Sequence, residues 1–293
     1  MLKLKAPAKI NLFLETTRRR PDGYHDLATL FARTGVCDLL SFRRTGTPGI
    51  KLAVKGGPKE LGRQADNIIH KAAVKFFEAF GLAPAVEIKL EKNIPVGAGL
   101  GGGSSDAATA LLGLAKLYRV GPAGRSRLMK IAASVGSDVP FFMLEATAAE
   151  GRGRGERLKA FRLKGRLPYV VLVYPGAPVL TREVYGNLKL GTPAEIKSRV
   201  KDFSRLCGLL KAGRFGPKDA GLLFNRLEDP VLPRHKAVRL AKARLVTLGA
   251  DAVMMSGSGA TVFALAWERA AAARLARAAG RIRGYRVFLT KFW

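Results

Sequence analysis

The residues from Ile94 to Ser105 read IPVGAGLGGGSS, with glycine at positions 97, 99 and 101–103 and no acidic or aromatic side chain. Such a run bares backbone N–H groups and permits φ > 0 conformations that other residues avoid. The next stretch, SDAATALLGLAKLY, reads as a helix with Ser104 or Ser105 near its start. A glycine loop that opens into a helix N-terminus favours an anion, because free N–H groups and the helix dipole act together. The chemistry implied is the handling of a phosphorylated ligand. Upstream, Val86, Ile88 and Leu90 alternate with Glu87, Lys89 and Glu91, the pattern of a half-exposed strand in an antiparallel or mixed sheet. A P-loop would need Gly-Lys-Ser/Thr where Gly103-Ser104-Ser105-Asp106 stands. A dinucleotide fingerprint, Gly97-x-Gly99-x-x-Gly102, lacks its acidic residue about 20 positions on, where Arg119 and Val120 lie. A flexible linker is disfavoured, since linkers seldom join a periodic strand to a strong helix.

Three further segments carry reactive side chains. In Pro7-Ala8-Lys9-Ile10-Asn11-Leu12 a lysine and an amide sit two apart and share one face of a strand, facing either a polyanion or solvent. In Gly136-Ser137-Asp138-Val139-Pro140 the aspartate is either a helix N-cap or a general base that takes a hydroxyl proton during phosphoryl transfer. Ser256-Gly257-Ser258-Gly259-Ala260-Thr261 joins two strand-like segments, so it is either a tight hairpin turn or a ligand-facing loop. Singly each has a structural explanation. Together with the glycine loop they make a stronger pattern than any one of them alone.

The elements that must position these residues can be read coarsely. Strands are expected at Leu2–Lys5, Asn11–Thr16, Leu39–Arg43, Ile50–Val54 and Val86–Lys92, and helices at Asn67–Phe80, Asp106–Tyr118 and Arg125–Val135, with Asp66 capping the first helix. The Gly- and Arg-rich Arg152–Arg166 stretch marks a boundary between domains of residues 1–160 and 161–293. Beyond it, strand Tyr169–Tyr174, helices Ala194–Lys211 and His235–Leu248, strands Asp251–Met255 and Thr261–Leu265, helix Glu268–Ala279 and strand Tyr285–Thr290 follow. That β-α-β-β-α-β order is the ferredoxin-like pattern, and the whole reads as α+β.

With 293 residues, 48% of them hydrophobic, the chain can bury a sizeable core in one large or two modest domains. Its longest apolar run, Tyr169–Tyr174, is far short of the roughly 18 residues of a membrane span, and MLKLKAPAKI lacks a signal-peptide core. Cys37 and Cys207 form no paired motif, so the expected setting is the cytoplasm, with no membrane partner. The formal charge of +29 invites a nucleic-acid reading, but the basic residues are scattered and Arg274, Arg277 and Arg281 form a solvated helix face. We expect no specific nucleic-acid partner. A positive field would draw in anionic small substrates.

Taken together, Pro7–Leu12, Pro95–Ser105 and Ser256–Ala264 resemble the three signature regions of the GHMP kinase superfamily, in the same order and over most of the chain. PAKINLFL, the Arg20-Pro21-Asp22-Gly23-Tyr24-His25-Asp26 segment, the Gly101–Gly103 triplet before Ser-Ser, and GSDVPFF resemble one branch within it, and PDGYH is the most specific of these. The resemblance implies an α+β fold of an N-terminal domain like domain 2 of ribosomal protein S5 and a ferredoxin-like C-terminal domain, with the site in the cleft between them. It implies an ATP-dependent kinase in isoprenoid precursor synthesis, whose small-molecule substrate is 4-diphosphocytidyl-2-C-methyl-D-erythritol, phosphorylated on its 2-hydroxyl. Alternatives are another GHMP kinase, acting on homoserine or a mevalonate derivative, or a basic nucleic-acid-binding protein.

By the same resemblance, Lys9 and Asp138 match the catalytic pair, Asp138 accepting the hydroxyl proton while Lys9 polarises that hydroxyl and stabilises the transition state. The ATP phosphate cradle matches Pro95, Val96, Gly97, Ala98, Gly99, Leu100, Gly101, Gly102, Gly103, Ser104 and Ser105, and Asn67 lies where the family lines its nucleotide site. Asn11 would help place the substrate. Tyr24 and His25 match positions that hold the cytosine, a phenol ring offering a stacking face worth ~1–3 kcal/mol per base. Tyr185, with Thr181 nearby, matches a second aromatic on the other side of the base. Mg²⁺ is expected with ATP; no acidic residue of the matched motifs is an obvious ligand, which leaves Ser105 and a phosphate-bound hydrated ion. The assembly expected is a monomer or homodimer.

Overall fold

The computed structural model describes residues 1–58, 61 and 66–293. In chain order the elements are β1 (Leu2–Arg19), β2 (His25–Arg44), β3 (Gly49–Lys55), α1 (Ile68–Phe80), β4 (Ala85–Glu91), α2 (Gly102–Leu117), α3 (Arg125–Val135), α4 (Val139–Phe142), β5 (Ala148–Arg152), β6 (Arg157–Phe161) and β7 (Tyr169–Tyr174). They continue with α5 (Thr181–Gly186), α6 (Pro193–Ala212), β8 (Phe224–Asn225), α7 (Glu228–Arg234), α8 (Lys236–Thr247), β9 (Ala252–Met255), β10 (Val262–Ala266), α9 (Arg269–Gly280) and β11 (Arg286–Thr290). The chain forms two units, each built from more than one stretch: Met1–Ala8, Val36–Val96 and Gly101–Glu145 in the first; Lys9–Gly35, Gly97–Leu100 and Ala146–Trp293 in the second.

In the first unit β3 pairs in parallel with β4, and β4 runs antiparallel to the Leu39–Arg44 end of β2, the mixed sheet that the alternation in β4 implies. Val86, Ile88 and Leu90 are buried against a core that includes Phe42, Ile69, Phe76 and Leu111. Gly113 lets α2 lie against that sheet, since a Cβ there would fall 2.4 Å from the Phe42 ring. α1 is capped by Asn67, not by Asp66: Asn67 Oδ1 accepts the Ile69 N–H at 2.9 Å. An asparagine one residue nearer the helix satisfies the free N–H, which leaves the exposed Asp66 outside it.

Among the boundaries that differ from the sequence reading are that of β2, which starts at His25 and not at Leu39, and two more that carry site residues. β1 is one strand where two short ones are expected, because every residue from Ala6 to Thr16 is buried and the alternation that marks a strand disappears in its middle. α2 starts at Gly102, inside the glycine run, not at Asp106. Gly102 and Gly103 are poor helix formers, but Gly102 is packed so closely that a Cβ would sit 2.9 Å from Ile94 Cγ2 and 3.0 Å from Lys92 Nζ.

In the second unit the Thr29–Ala32 part of β2 pairs with β5 and β5 with β6, while β8 joins β1 in parallel. A separate antiparallel sheet has the order β11-β7-β10-β9. Numbered along the chain this is 4-1-3-2, with α8 before its second strand and α9 before its fourth, the ferredoxin-like arrangement expected. Val171, Val173, Val262 and Ala264 of the sheet bury against Val238 and Leu245 of α8 and Leu275 of α9.

Candidate active site

The strand period of two puts Lys9 and Asn11 on one face of β1, and Lys9 Nζ donates to Asn11 Oδ1 at 2.7 Å. The orientation of the Asn11 amide is set behind it. Thr29 Oγ1 gives its hydrogen to Phe13 O at 2.8 Å, so it can only accept from Asn11 Nδ2, also at 2.8 Å. Lys9 is 5% exposed and its ammonium lies 5.5 Å from the centre of the Phe31 ring. This is a buried cation, not a solvent-facing lysine.

The tip of the glycine loop, Gly97–Leu100, comes to that lysine from the second unit's own share of the chain. The Lys9 N–H donates to Leu100 O at 2.9 Å, the Thr261 N–H to Ala98 O at 3.1 Å, and Ser256 Oγ to Gly99 O at 3.0 Å. Gly99 has φ of 74°, and a Cβ on it would lie 2.2 Å from Ser256 O, so only glycine fits. Ser256–Thr261 is indeed a hairpin turn, closed by Ser256 N–H to Thr261 O and Gly259 N–H to Ser256 O, both 2.9 Å. It is also a wall of the site, for a Cβ on Gly257 would stand 3.3 Å from both Lys9 Nζ and Asn11 Oδ1. Three sequence segments thus meet around Lys9.

The rest of the loop, Pro95, Val96 and Gly101–Ser105, belongs to the first unit. Gly101 takes the N-cap position of α2 with φ of 66° and no side chain to occupy the first N–H groups. Ser105 Oγ in the first turn is fully buried without a hydrogen-bond partner. Asn67 uses its whole amide at the start of α1, Nδ2 donating to Leu61 O at 2.7 Å, and the adjoining Ile68 would be 3.8 Å from a Cβ on Gly103. Asp138 immediately precedes α4 with φ of −87° and makes no cap hydrogen bond, so the N-cap reading does not hold. Its turn passes the start of α2: a Cβ on Gly136 would be 4.0 Å from Ser104 Oγ.

The sequence reading missed the residues that anchor this loop. Lys92 pairs with Asp38 and, at 2.7 Å, with Asp106, all three side chains being almost wholly buried. Asp38 Oδ1 also accepts the N–H groups of Asn93 and Ile94 at 2.6 and 2.8 Å. The cluster therefore ties the chain entering the loop to the helix leaving it. Burial pushes the Asp106 carboxyl up to about 8, opposed by Lys92 and reinforced by the charge of Asp38. The signal was present: Lys92 continues the buried register of Val86, Ile88 and Leu90, where a lysine needs a partner. Lys92→Met leaves the buried Asp38 and Asp106 without the cation that holds them together, and we expect it to remove about 3–5 kcal/mol of stability, measured by urea unfolding.

Tyr24 ends a turn in which Gly23 N–H reaches Arg20 O and Arg20 N–H reaches Tyr24 O. Its ring is exposed on one side, and the Arg154 guanidinium lies 4.7 Å from its centre. His25, buried, stacks on Tyr185 of α5 with centroids 5.3 Å apart, so the two meet directly. Burial, with Arg19 adding to it, holds the imidazole below the usual histidine range and therefore neutral at pH 7. Thr181 Oγ1 and Ser258 Oγ share a hydrogen bond at 2.8 Å, which brings α5 to the same hairpin that faces Lys9.

Such a glycine loop, buried lysine and paired α+β units define a small-molecule kinase of the GHMP class: the sequence matches the GHMP kinases N terminal domain over residues 67–146 and the GHMP kinases C terminal domain over residues 207–285. Homoserine kinase from Cytophaga hutchinsonii shares the fold, with a TM-score of 0.70 at 18% identity over 99% of this chain and 94% of that one. A crystal structure of 4-(cytidine 5'-diphospho)-2C-methyl-D-erythritol kinase matches with a TM-score of 0.79 at 36% identity over the whole of both chains. The 4-diphosphocytidyl-2-C-methyl-D-erythritol kinase of Geobacter sulfurreducens is 40% identical over 286 residues, which is 94% of this chain and 93% of that protein. The chain belongs to the 4-diphosphocytidyl-2-C-methyl-D-erythritol kinase family.

Proposed function

We propose that the protein transfers the γ-phosphoryl group of ATP to the 2-hydroxyl of 4-diphosphocytidyl-2-C-methyl-D-erythritol, giving ADP and the 2-phosphate, in non-mevalonate isoprenoid precursor synthesis in the cytoplasm. The observation that carries this reading is the convergence of the glycine-loop tip and the Ser256–Thr261 hairpin on the buried Lys9. The choice of acceptor rests on the names of the relatives and on the Tyr24-His25 segment.

Asp138 accepts the proton as the hydroxyl oxygen attacks phosphorus, and the bond from phosphorus to the bridging oxygen breaks with its electrons leaving on ADP. The Lys9 ammonium, held by Asn11 at 2.7 Å, polarises the hydroxyl and offsets the charge that develops on the transferring group. Asn11 places the acceptor. The uncapped start of α2 and the backbone of Pro95–Ser105 fit a polyphosphate, because free N–H groups at a helix start favour an anion. Asn67 contributes through the α1 start that it caps beside Gly103. Ser105, whose Oγ is buried without a hydrogen-bond partner, would be the residue to hold a hydrated Mg²⁺ ion. That ion would supply neutralisation of phosphate charge. Tyr24 and neutral His25 receive the cytosine, with Tyr185 and Thr181 completing the pocket.

An ADP-release assay tests this reading with three acceptors: the diphosphocytidyl alcohol, mevalonate and homoserine. We expect turnover with the first alone. Turnover of mevalonate or homoserine in its place, or silence with the cytidine compound, would overturn the choice of acceptor.

A further inference from the structure

Two side chains outside every signature segment hold the hairpin that faces Lys9. Asn225 sits on β8, whose parallel pairing places it opposite Leu14 of β1, the strand that carries Lys9 and Asn11. It is 3% exposed, and its amide is fully used. Nδ2 donates to Met255 O and to Gly257 O, both at 2.8 Å, while Oδ1 accepts the Leu227 N–H at 3.0 Å. Three residues on, Glu228 opens α7; its Oε1 accepts the Met255 N–H at 2.7 Å and its Oε2 takes the Lys242 ammonium. The end of β9 is therefore gripped at both backbone groups of Met255, and the turn at the carbonyl of Gly257.

The chemistry of the pair explains the residue types. Binding two carbonyls from one atom needs two N–H groups on that atom, which a primary amide has and a hydroxyl or carboxylate lacks. Holding a backbone N–H needs an acceptor, which Glu228 supplies. What they hold matters because a Cβ on Gly257 would stand only 3.3 Å from Lys9 Nζ and from Asn11 Oδ1, and Ser256 bonds the glycine-loop tip at Gly99 O. A turn released from Asn225 would move against all three.

We infer that Asn225 and Glu228 are positioning residues for phosphoryl transfer, an Asn-x-x-Glu clamp that fixes the Met255–Gly257 backbone and through it the placement of Lys9, Asn11 and the loop tip. The inference rests on the functional reading above. A misplacement of about 1 Å costs roughly 10²-fold in rate, so the clamp acts on kcat more than on substrate binding.

Asn225→Asp keeps the shape of the side chain and removes both donors. We expect kcat to fall by about 10²-fold with KM for ATP within about threefold, and amide hydrogen exchange to accelerate at residues 255–261 but not in β7 or β10. Glu228→Ala gives the same pattern more weakly, and Glu228→Gln, which keeps an acceptor for Met255, restores the rate; this pair carries the test should Asn225→Asp not fold. Unchanged exchange at 255–261 overturns the clamp, and faster exchange with unchanged kcat overturns its role in catalysis. Absence of turnover in the unaltered protein overturns the functional reading instead, and exchange still decides whether the clamp holds the hairpin.

Discussion

Asp138→Asn lowers kcat by about 10²–10⁴-fold, the contribution of a positioned proton acceptor, while affinity for an ATP analogue stays unchanged. The Asp138 side chain makes no cap hydrogen bond to α4, and that helix is held by the buried Val139, Pro140, Phe141 and Phe142. Asparagine is isosteric with aspartate, so the exchange keeps the shape of the side chain beside that packing. What the amide lacks is a basic oxygen. Phosphoryl transfer is dominated by positioning and charge neutralisation, so a substantial rate survives in systems that lose only the base, and the residual activity is expected to be measurable above background. Steady-state kinetics with calorimetric titration of the nucleotide analogue separates the two effects. Activity within a fewfold of the unaltered protein would exclude Asp138 as the acceptor.

Local periodicity made much of this molecule legible. The bounds of α3 coincide with the sequence reading, and the second sheet appears in the order expected from β-α-β-β-α-β. The half-exposed alternation of β4 and the missing Gly-Lys-Ser/Thr together separate the glycine loop from two commoner phosphate-binding loops. What escaped has a common physical cause: the missed residues act on partners distant in sequence. Asp38, Lys92 and Asp106 are ordinary charged residues in a list, and only burial at 2.7 Å makes one of their pairings structural. Asn225 and Glu228 look like a turn and a helix start, as indeed they are, and nothing local says that both reach Met255. Lys9 and Asn11 were visible because strand period alone puts them on one face. Their burial was not, since β1 loses its alternation where both faces are covered. Glycines misled in the opposite direction, for Gly102 and Gly103 argued against the helix turn that they form.

Lys9→Met lowers kcat by about 10²–10³-fold, the effect of removing one preorganised donor from a developing negative charge. The methionine stem keeps much of the volume of the lysine, so what is lost is the charge, with its hydrogen bond to Asn11 Oδ1 and its place 5.5 Å from the centre of the Phe31 ring. Lys92→Met is expected to show the converse signature, a loss of stability, because the buried Asp38 and Asp106 lose the cation with which they pair. For Lys9→Met the loss lies in turnover, since a donor aimed at charge that develops only in the transition state acts on kcat more than on binding. Steady-state kinetics checks this, and activity within a fewfold of the unaltered protein would remove Lys9 from the reaction.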